Sequence, residues 1–232
     1  MTIFYDFNIL PKEEVIETLE DFGFKGACIF YDSKKYLENN LIEKFNELNE
    51  STNLNLYHGI VIDETNPQIL RKEVQRHYKK VDLIMANGGD SKINRIICET
   101  PQIDIINHPY LNKRNSGINH ILAKLLKENN ISVNINMRDI LEHRGFFRAR
   151  TLTQINQLIM LQRKYDFRCV LSSGSRSFYD VKSPKSMILL SQLMDMDINY
   201  AKKCITQYPE EIIKNITIHK ESIVQGVRII KD

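Results

Sequence analysis

Short apolar runs alternate with amphipathic stretches along most of the chain, and the alternation predicts a βα repeat. Ile3–Ile9 reads as a strand. Pro11 then stands where the first turn of a helix tolerates proline, Val15, Ile16, Leu19 and Phe22 form one apolar stripe, and Gly23 closes the helix. A second strand, Gly26–Phe30, leads to Asp32 or Ser33 as the cap of a helix carrying Leu37, Leu41, Phe45 and Leu48. Further strands are predicted at Asn55–Ile62, Val81–Ala86, Ile103–Asn107, Ile131–Met137 and Arg168–Leu171, with helices over 67–79, 91–98, 118–129 and 148–165 between them. Helices near 185–194, 197–206 and 209–215 follow. The apolar stretch Val224–Ile230 reads as an eighth strand or an edge.

Most of these strands are continuous apolar runs, as expected when both faces of a parallel sheet are covered. Uniform alternation without a break in composition predicts one α/β barrel domain over 1–232, with about 217–232 as a C-terminal tail that reads as a strand, a helix extension or a partner-binding segment. Seven or eight βα units in 232 residues favour a closed TIM-like barrel over a doubly wound sheet. No G-x-G-x-x-G follows the first strand and no Walker A motif occurs, which argues against a nucleotide-binding Rossmann domain.

Composition changes this picture little. Hydrophobic residues make up 42% and charged residues 26%, values of a globular chain able to bury a sizeable core. No run approaches the roughly 18 apolar residues of a membrane span, and the N-terminus enters a strand at once, so a cytoplasmic protein is expected. Cys28, Cys98, Cys169 and Cys204 are far apart, with no zinc-knuckle or redox spacing, and read as buried apolar residues.

Charge adds more. The net +3 divides into −6 over residues 1–110 and +9 over 111–232, and seven of the twelve arginines lie between Arg138 and Arg176. A basic half of this kind suits a polyanion, the plain alternative being an unevenly charged solvated surface. In a barrel the chemistry belongs at the carboxyl ends of the strands. Those positions read Asp6, Asn8, Tyr31, Asp32, Asp63, Asn87, His108, Asn136, Arg138, Ser172, Ser173 and Arg176. His108 is the one histidine among them, either a capped structural group or a functional one, while His58 lies mid-strand and is expected to pack or hydrogen-bond.

A metal-dependent phosphoesterase or sugar-phosphate enzyme is the natural enzymatic reading of such a barrel, with Asp6 and His108 as its candidate groups. It needs imidazoles and carboxylates converging on one mouth. Tyr5-Asp6-Phe7-Asn8 stands where a His-x-His would supply two ligands, and one carboxylate with one histidine does not build a dinuclear site. The basic segment is more specific. Arg138, Arg144, Arg148 and Arg150 follow the sixth strand, and the loop from Ser172 to Ser177, containing Ser173 and Arg176, follows the seventh, with Lys182 and Lys185 beyond. Small hydroxyl residues and a glycine permit backbone N–H groups to approach a phosphate, although a capped serine-rich turn fits this loop equally well. Tyr5, Phe146, Phe147, Phe178 and Tyr179 flank the basic groups, suited either to stacking on bases or to packing, the latter expected for at least one of Phe146 and Phe147.

Several motifs are recognisable together: Tyr5-Asp6-Phe7-Asn8, Gly23-Phe24-Lys25-Gly26, Ile103 to Pro109, Val133 to Leu141, Arg148-Ala149-Arg150, Ser172 to Ser177, and Asp180 to Pro184. In this order and spacing they resemble the archaeal ribonuclease P protein component 3 family, relatives of the eukaryotic thirty-kilodalton subunit, from Ile3 to about Ile213. The resemblance implies a TIM-like barrel related to the polymerase-and-histidinol-phosphatase barrel, its metal site absent or eroded. It also implies a subunit of the ribonucleoprotein that removes the 5′ leader of precursor tRNA. Catalysis there belongs to the RNA subunit with Mg2+, so no catalytic residue, metal or cofactor is assigned to this chain. The implied partners are the ribonuclease P RNA, protein component 2 and other ribonuclease P proteins, with precursor tRNA in the complex. The candidate RNA-binding residues are Arg138, Arg144, Arg148, Arg150, Ser173, Arg176, Lys182 and Lys185.

Overall fold

A computed structural model describes residues 2–36, 41–111, 114–224 and 227–228, with side chains described through Ile216. Seven strands alternate with helices: β1 (Tyr5–Ile9), α1 (Glu13–Asp21), β2 (Gly26–Asp32), α2 (Leu41–Glu50), β3 (Asn55–Ile62), α3 (Pro67–His77), β4 (Leu83–Asn87), α4 (Ser91–Cys98), β5 (Ile105–Asn107), α5 (His120–Glu128), β6 (Ser132–Asn136), α6 (Met137–Leu141), α7 (Gly145–Tyr165) and β7 (Cys169–Ser172). Helices α8 (Pro184–Ser191), α9 (Ile198–Cys204) and α10 (Gln207–Glu221) complete the fold, before the short strands β8 (Ser222–Val224) and β9 (Val227–Arg228).

Strands β1 to β7 form one sheet in sequential order, every neighbouring pair parallel. The sheet curls into a nearly closed TIM-like barrel. No ladder joins β1 to β7; the seam is bridged instead by Leu10 N donating to the Ser175 carbonyl at 3.2 Å and Ser173 N donating to Asp6 Oδ1 at 2.9 Å. The lower end of the seam is covered by the C-terminal region, where Tyr5 N donates to the Ile205 carbonyl at 2.9 Å.

The period-2 alternation of strands sorts the core into two shells. Tyr5, Phe7, Cys28, Phe30, Leu83, Met85, Ile105 and Val170 fill the barrel, joined by Ile212 and Ile216 of α10. The intervening strand residues, such as Ile29, Ile60, Ile62, Ile84, Ile106, Val133 and Leu171, pack outward against the apolar stripes of the helices. Helix starts follow the capping residues: Asn66 accepts from Gln68 N with Pro67 at the first helical position, Asp90 from Lys92 N and Ile93 N, and Asn119 from Ile121 N and Leu122 N. All four cysteines are buried and unpaired, as the sequence predicts.

Three expectations are corrected. The sixth strand stops at Asn136, not Met137, because the Asn136 side chain accepts from Arg138 N and turns the chain directly into α6; helix α7 then begins at Gly145. Asp32 caps only a turn, accepting from Lys34 N, and the helix that follows starts at Leu41; Leu37 lies outside the described residues. Among the described residues, the apolar stretch Val224–Ile230 adds no strand to the seven-stranded sheet. Its described residues, Val224 and Val227–Arg228, belong to the separate antiparallel pair β8–β9, and 225–226 and 229–230 lie outside the described residues.

Candidate nucleic-acid interface at the barrel mouth

Towards the carboxyl ends of the strands the interior changes from apolar to amide and hydroxyl. Asn107 Nδ2 donates to Asn87 Oδ1, Asn134 Nδ2 to Asn107 Oδ1, and Ser172 Oγ to Asn134 Oδ1, each at 2.9 Å. This chain of bonds crosses β4, β5, β6 and β7 in one layer and leaves buried amides satisfied by one another. Above it opens a cleft of about 390 Å³, lined among others by Asn8, Asn87, His108, Asn136, Arg138 and Arg176. Two non-glycine residues at its edge, Asn8 (φ 91°) and His108 (φ 31°), have left-handed backbone, Asn8 at the irregularity in the β1–β2 register.

Asp6 and His108 stand in different surroundings. Asp6 is fully buried; its Oδ1 accepts from Ser173 N, its Oδ2 has no partner, and burial raises its pKa to about 7 against the opposing bonds from Ser173. His108 Nδ1 lies 3.4 Å from Asp139 Oδ2 without a hydrogen bond, while Asp139 accepts from the Tyr110 hydroxyl at 2.9 Å. Among the described residues, no three His, Cys, Asp or Glu side chains gather to hold a metal. His58 behaves as expected of a packed strand residue, with Nδ1 2.8 Å from Asp82 Oδ2 and its ring stacked on Tyr36.

The loop after β7 resolves as a self-capped turn. Arg176 N, Ser177 N and Ser177 Oγ all donate to Asp180 Oδ2 at 3.1 Å, and Ser175 N donates to Ser173 Oγ. The amides expected to face a phosphate are therefore occupied by the chain's own side-chain oxygens. Ser173 is buried, its hydroxyl engaged with Ser175 Oγ and its amide with Asp6, so it supports the loop and does not face solvent. Gly174, at φ 69°, passes so close to Asn136 that a Cβ would stand 2.0 Å from its Oδ1. Through Asn136, and through Arg138 N donating to the Ser173 carbonyl at 3.2 Å, this turn fixes the start of α6.

The cations divide into two groups. Arg138 is half-buried at the mouth and paired with Glu142, its Nε 2.6 Å from Oε1. Arg148 donates to the carbonyls of Ile140, Leu141 and His143, holding the corner between α6 and α7. Lys182 Nζ caps the carbonyls of Tyr179, Asp180 and Val181. Arg150 is half-buried. Arg144, Arg176 and Lys185 are exposed. Beside them Phe146, Phe147 and Tyr179 are exposed too, against the expectation that one of the phenylalanines packs, whereas Tyr5 is inside the barrel and takes no part in this surface. Sequence reasoning missed the asparagine layer, which only strand parity exposes, and the ion pair to Glu142, which the i,i+4 spacing from Arg138 signals.

Comparison with known proteins agrees with this geometry. Residues 3–221 match the family described as RNase P subunit p30. The chain is 31% identical to "Ribonuclease P protein component 3" of Methanococcus maripaludis, over 98% of both chains, and 29% identical to the protein of that name from Methanothermobacter thermautotrophicus, over 99% of this chain and 96% of the relative. Among solved structures, a chain in a cryo-EM structure of archaeal ribonuclease P with mature tRNA superposes with a TM-score of 0.86 at 29% identity, covering 98% of both chains. Histidinol phosphate phosphatase of Lactococcus lactis, at 12% identity and a TM-score of 0.52 over 92% of this chain and 93% of its own, shares the fold alone. A full-length match in sequence, on a barrel whose mouth is lined by amides and arginines, places this chain in the RNase P subunit p30 family.

Proposed function

We propose that the chain is an RNA-binding protein subunit of ribonuclease P that supports endonucleolytic removal of the 5′ leader from precursor tRNA. The observation that carries this reading is the superposition, over nearly its whole length, on a chain from archaeal ribonuclease P. In this reading the RNA subunit with Mg2+ cleaves, and this chain contributes no catalytic group and has no nuclease activity alone. The chain works in the cytoplasm, paired with protein component 2 and alongside the other ribonuclease P proteins. The phosphoesterase alternative has no matching observation: the likeness to a phosphatase is one of fold, and Asp6 accepts from Ser173 N whereas His108 stands beside Asp139 and Asn107.

The RNA-binding set divides by what each cation is free to do. Among the described residues the guanidinia of Arg144 and Arg176 have no protein partner, and with Lys185 they are the groups that meet phosphates directly. Arg138, Arg148 and Lys182 hold the mouth and the corner in shape. Each phosphate contact releases condensed counterions, so its loss flattens the salt dependence of binding. Arg144→Ala and Arg176→Ala are each expected to lower the slope of log K against log salt by about 0.7 to 0.9 on the ribonuclease P RNA, without lowering the unfolding midpoint. A salt slope unchanged in the double variant contradicts the assignment of these two arginines.

A further inference from the structure

Phe146 and Phe147 are consecutive and lie in water, 74% and 62% exposed. They are not a loose surface tail. They occupy the first turn of α7, a helix of 21 residues, directly after Gly145. The guanidinium of Arg148 holds three carbonyls of the preceding segment, Ile140, Leu141 and His143, and so fixes the corner from which the two rings project. The rings sit edge to face, with centroids 5.9 Å apart at 73°, and His143 lies 6.5 Å from Phe147. Two large apolar side chains pinned in solvent on a rigid corner are costly unless something covers them.

The surrounding charge says what. The first turn of α7 contains no acidic residue, the position ahead of it is Arg144, and Arg148 and Arg150 follow. The positive end of the helix dipole adds to this field. An apolar pocket on a protein would have to bury these phenylalanines with arginines at their rim. Nucleic acid satisfies both at once: phosphates answer the arginines and base faces cover the rings. We propose that Phe146 and Phe147 form a stacking platform for unpaired bases of an RNA held on the arginine-rich face. The proposal rests on the RNA-binding reading above and adds the mode of contact.

The test uses the full chain with two probes, a fluorescently labelled single-stranded RNA and a blunt RNA duplex of equal length. Bases in a duplex are already stacked, so only the single strand engages the platform. The Phe146→Ala/Phe147→Ala variant is expected to bind the single strand about tenfold more weakly, with the duplex affinity and the salt slope unchanged. Phe146→Leu/Phe147→Leu keeps the apolar bulk but lacks a π face, and is expected to lose nearly as much. The chain has no tryptophan, so Phe146→Trp introduces a single indole whose fluorescence is quenched when a base stacks on it. Full affinity in the leucine variant, equal losses on both RNAs, or binding without quenching overturns the platform while leaving the arginine contacts intact. Failure of the unaltered chain to bind either RNA overturns the RNA-binding reading itself, and the platform with it.

Discussion

Asp6→Asn is expected to gain about 4 kcal/mol of stability on the unaltered chain between pH 4 and pH 8. The carboxyl of Asp6 is fully buried at the β1–β7 seam, and burial holds its pKa at about 7 against an ordinary value of 3.8. In the unfolded chain it ionises near pH 4, so between that pH and 7 the folded state carries a proton that the unfolded state has lost. Stability contributed by the protonated carboxyl is thus complete at low pH and is lost as pH rises towards 7. About three pH units at roughly 1.4 kcal/mol each give the figure. Asparagine keeps an oxygen to accept from Ser173 N and has no charge to desolvate. Any constant cost of its buried N–H groups applies at both pH values and cancels in the comparison. Asp104, whose pKa is also raised to about 7, tilts the unaltered chain in the same direction. The quantity to measure is therefore the difference between variant and parent at each pH, by urea unfolding. The same difference at pH 4 and pH 8 refutes the titration argument.

Gly174→Ala is expected to cost about 3 to 5 kcal/mol, near the upper end for single substitutions. Two effects add. At φ 69° an L-residue pays about 1 to 2 kcal/mol for left-handed backbone. The new methyl also stands 2.0 Å from Asn136 Oδ1, inside van der Waals contact, so the loop or the cap of α6 must move. Gly23→Ala separates the two, because Gly23 has φ 80° but nothing within 4 Å of its would-be Cβ. It is expected to cost about 1 to 2 kcal/mol. Unfolding midpoints and slopes measured together decide the matter, and equal losses in the two variants mean that the Asn136 contact yields without strain.

The βα repeat was legible because a parallel barrel strand buried on both faces leaves an unbroken apolar run. Gly26–Phe30 is an example that needed no tertiary information. The misplaced end of the sixth strand has a local cause: a side-chain cap decided by geometry. Met137 reads as the last residue of the sixth strand until the Asn136 side chain is seen to accept from Arg138 N. The serine loop was ambiguous for a related reason. Whether its amides face an anion or an internal carboxylate depends on Asp180, three residues beyond Ser177, folding back on it. The arginine cluster was visible as a charge imbalance, yet sequence does not show that Arg148 and Lys182 serve carbonyls while Arg144 and Arg176 face solvent. That division arises from the corner between α6 and α7 and from the turn at Phe178–Asp180. The asparagine layer needed strand parity and register together, since each of its members is unremarkable alone.

The proposed role is to serve an RNA catalyst and not to act as a barrel enzyme of its own. Cleavage of precursor tRNA at low Mg2+ by the cognate RNA and the remaining ribonuclease P proteins, with and without this chain, tests that directly. Strong stimulation by the chain is expected, and no cleavage when the RNA is omitted. No stimulation across a salt series, or cleavage by the protein without RNA, contradicts that role.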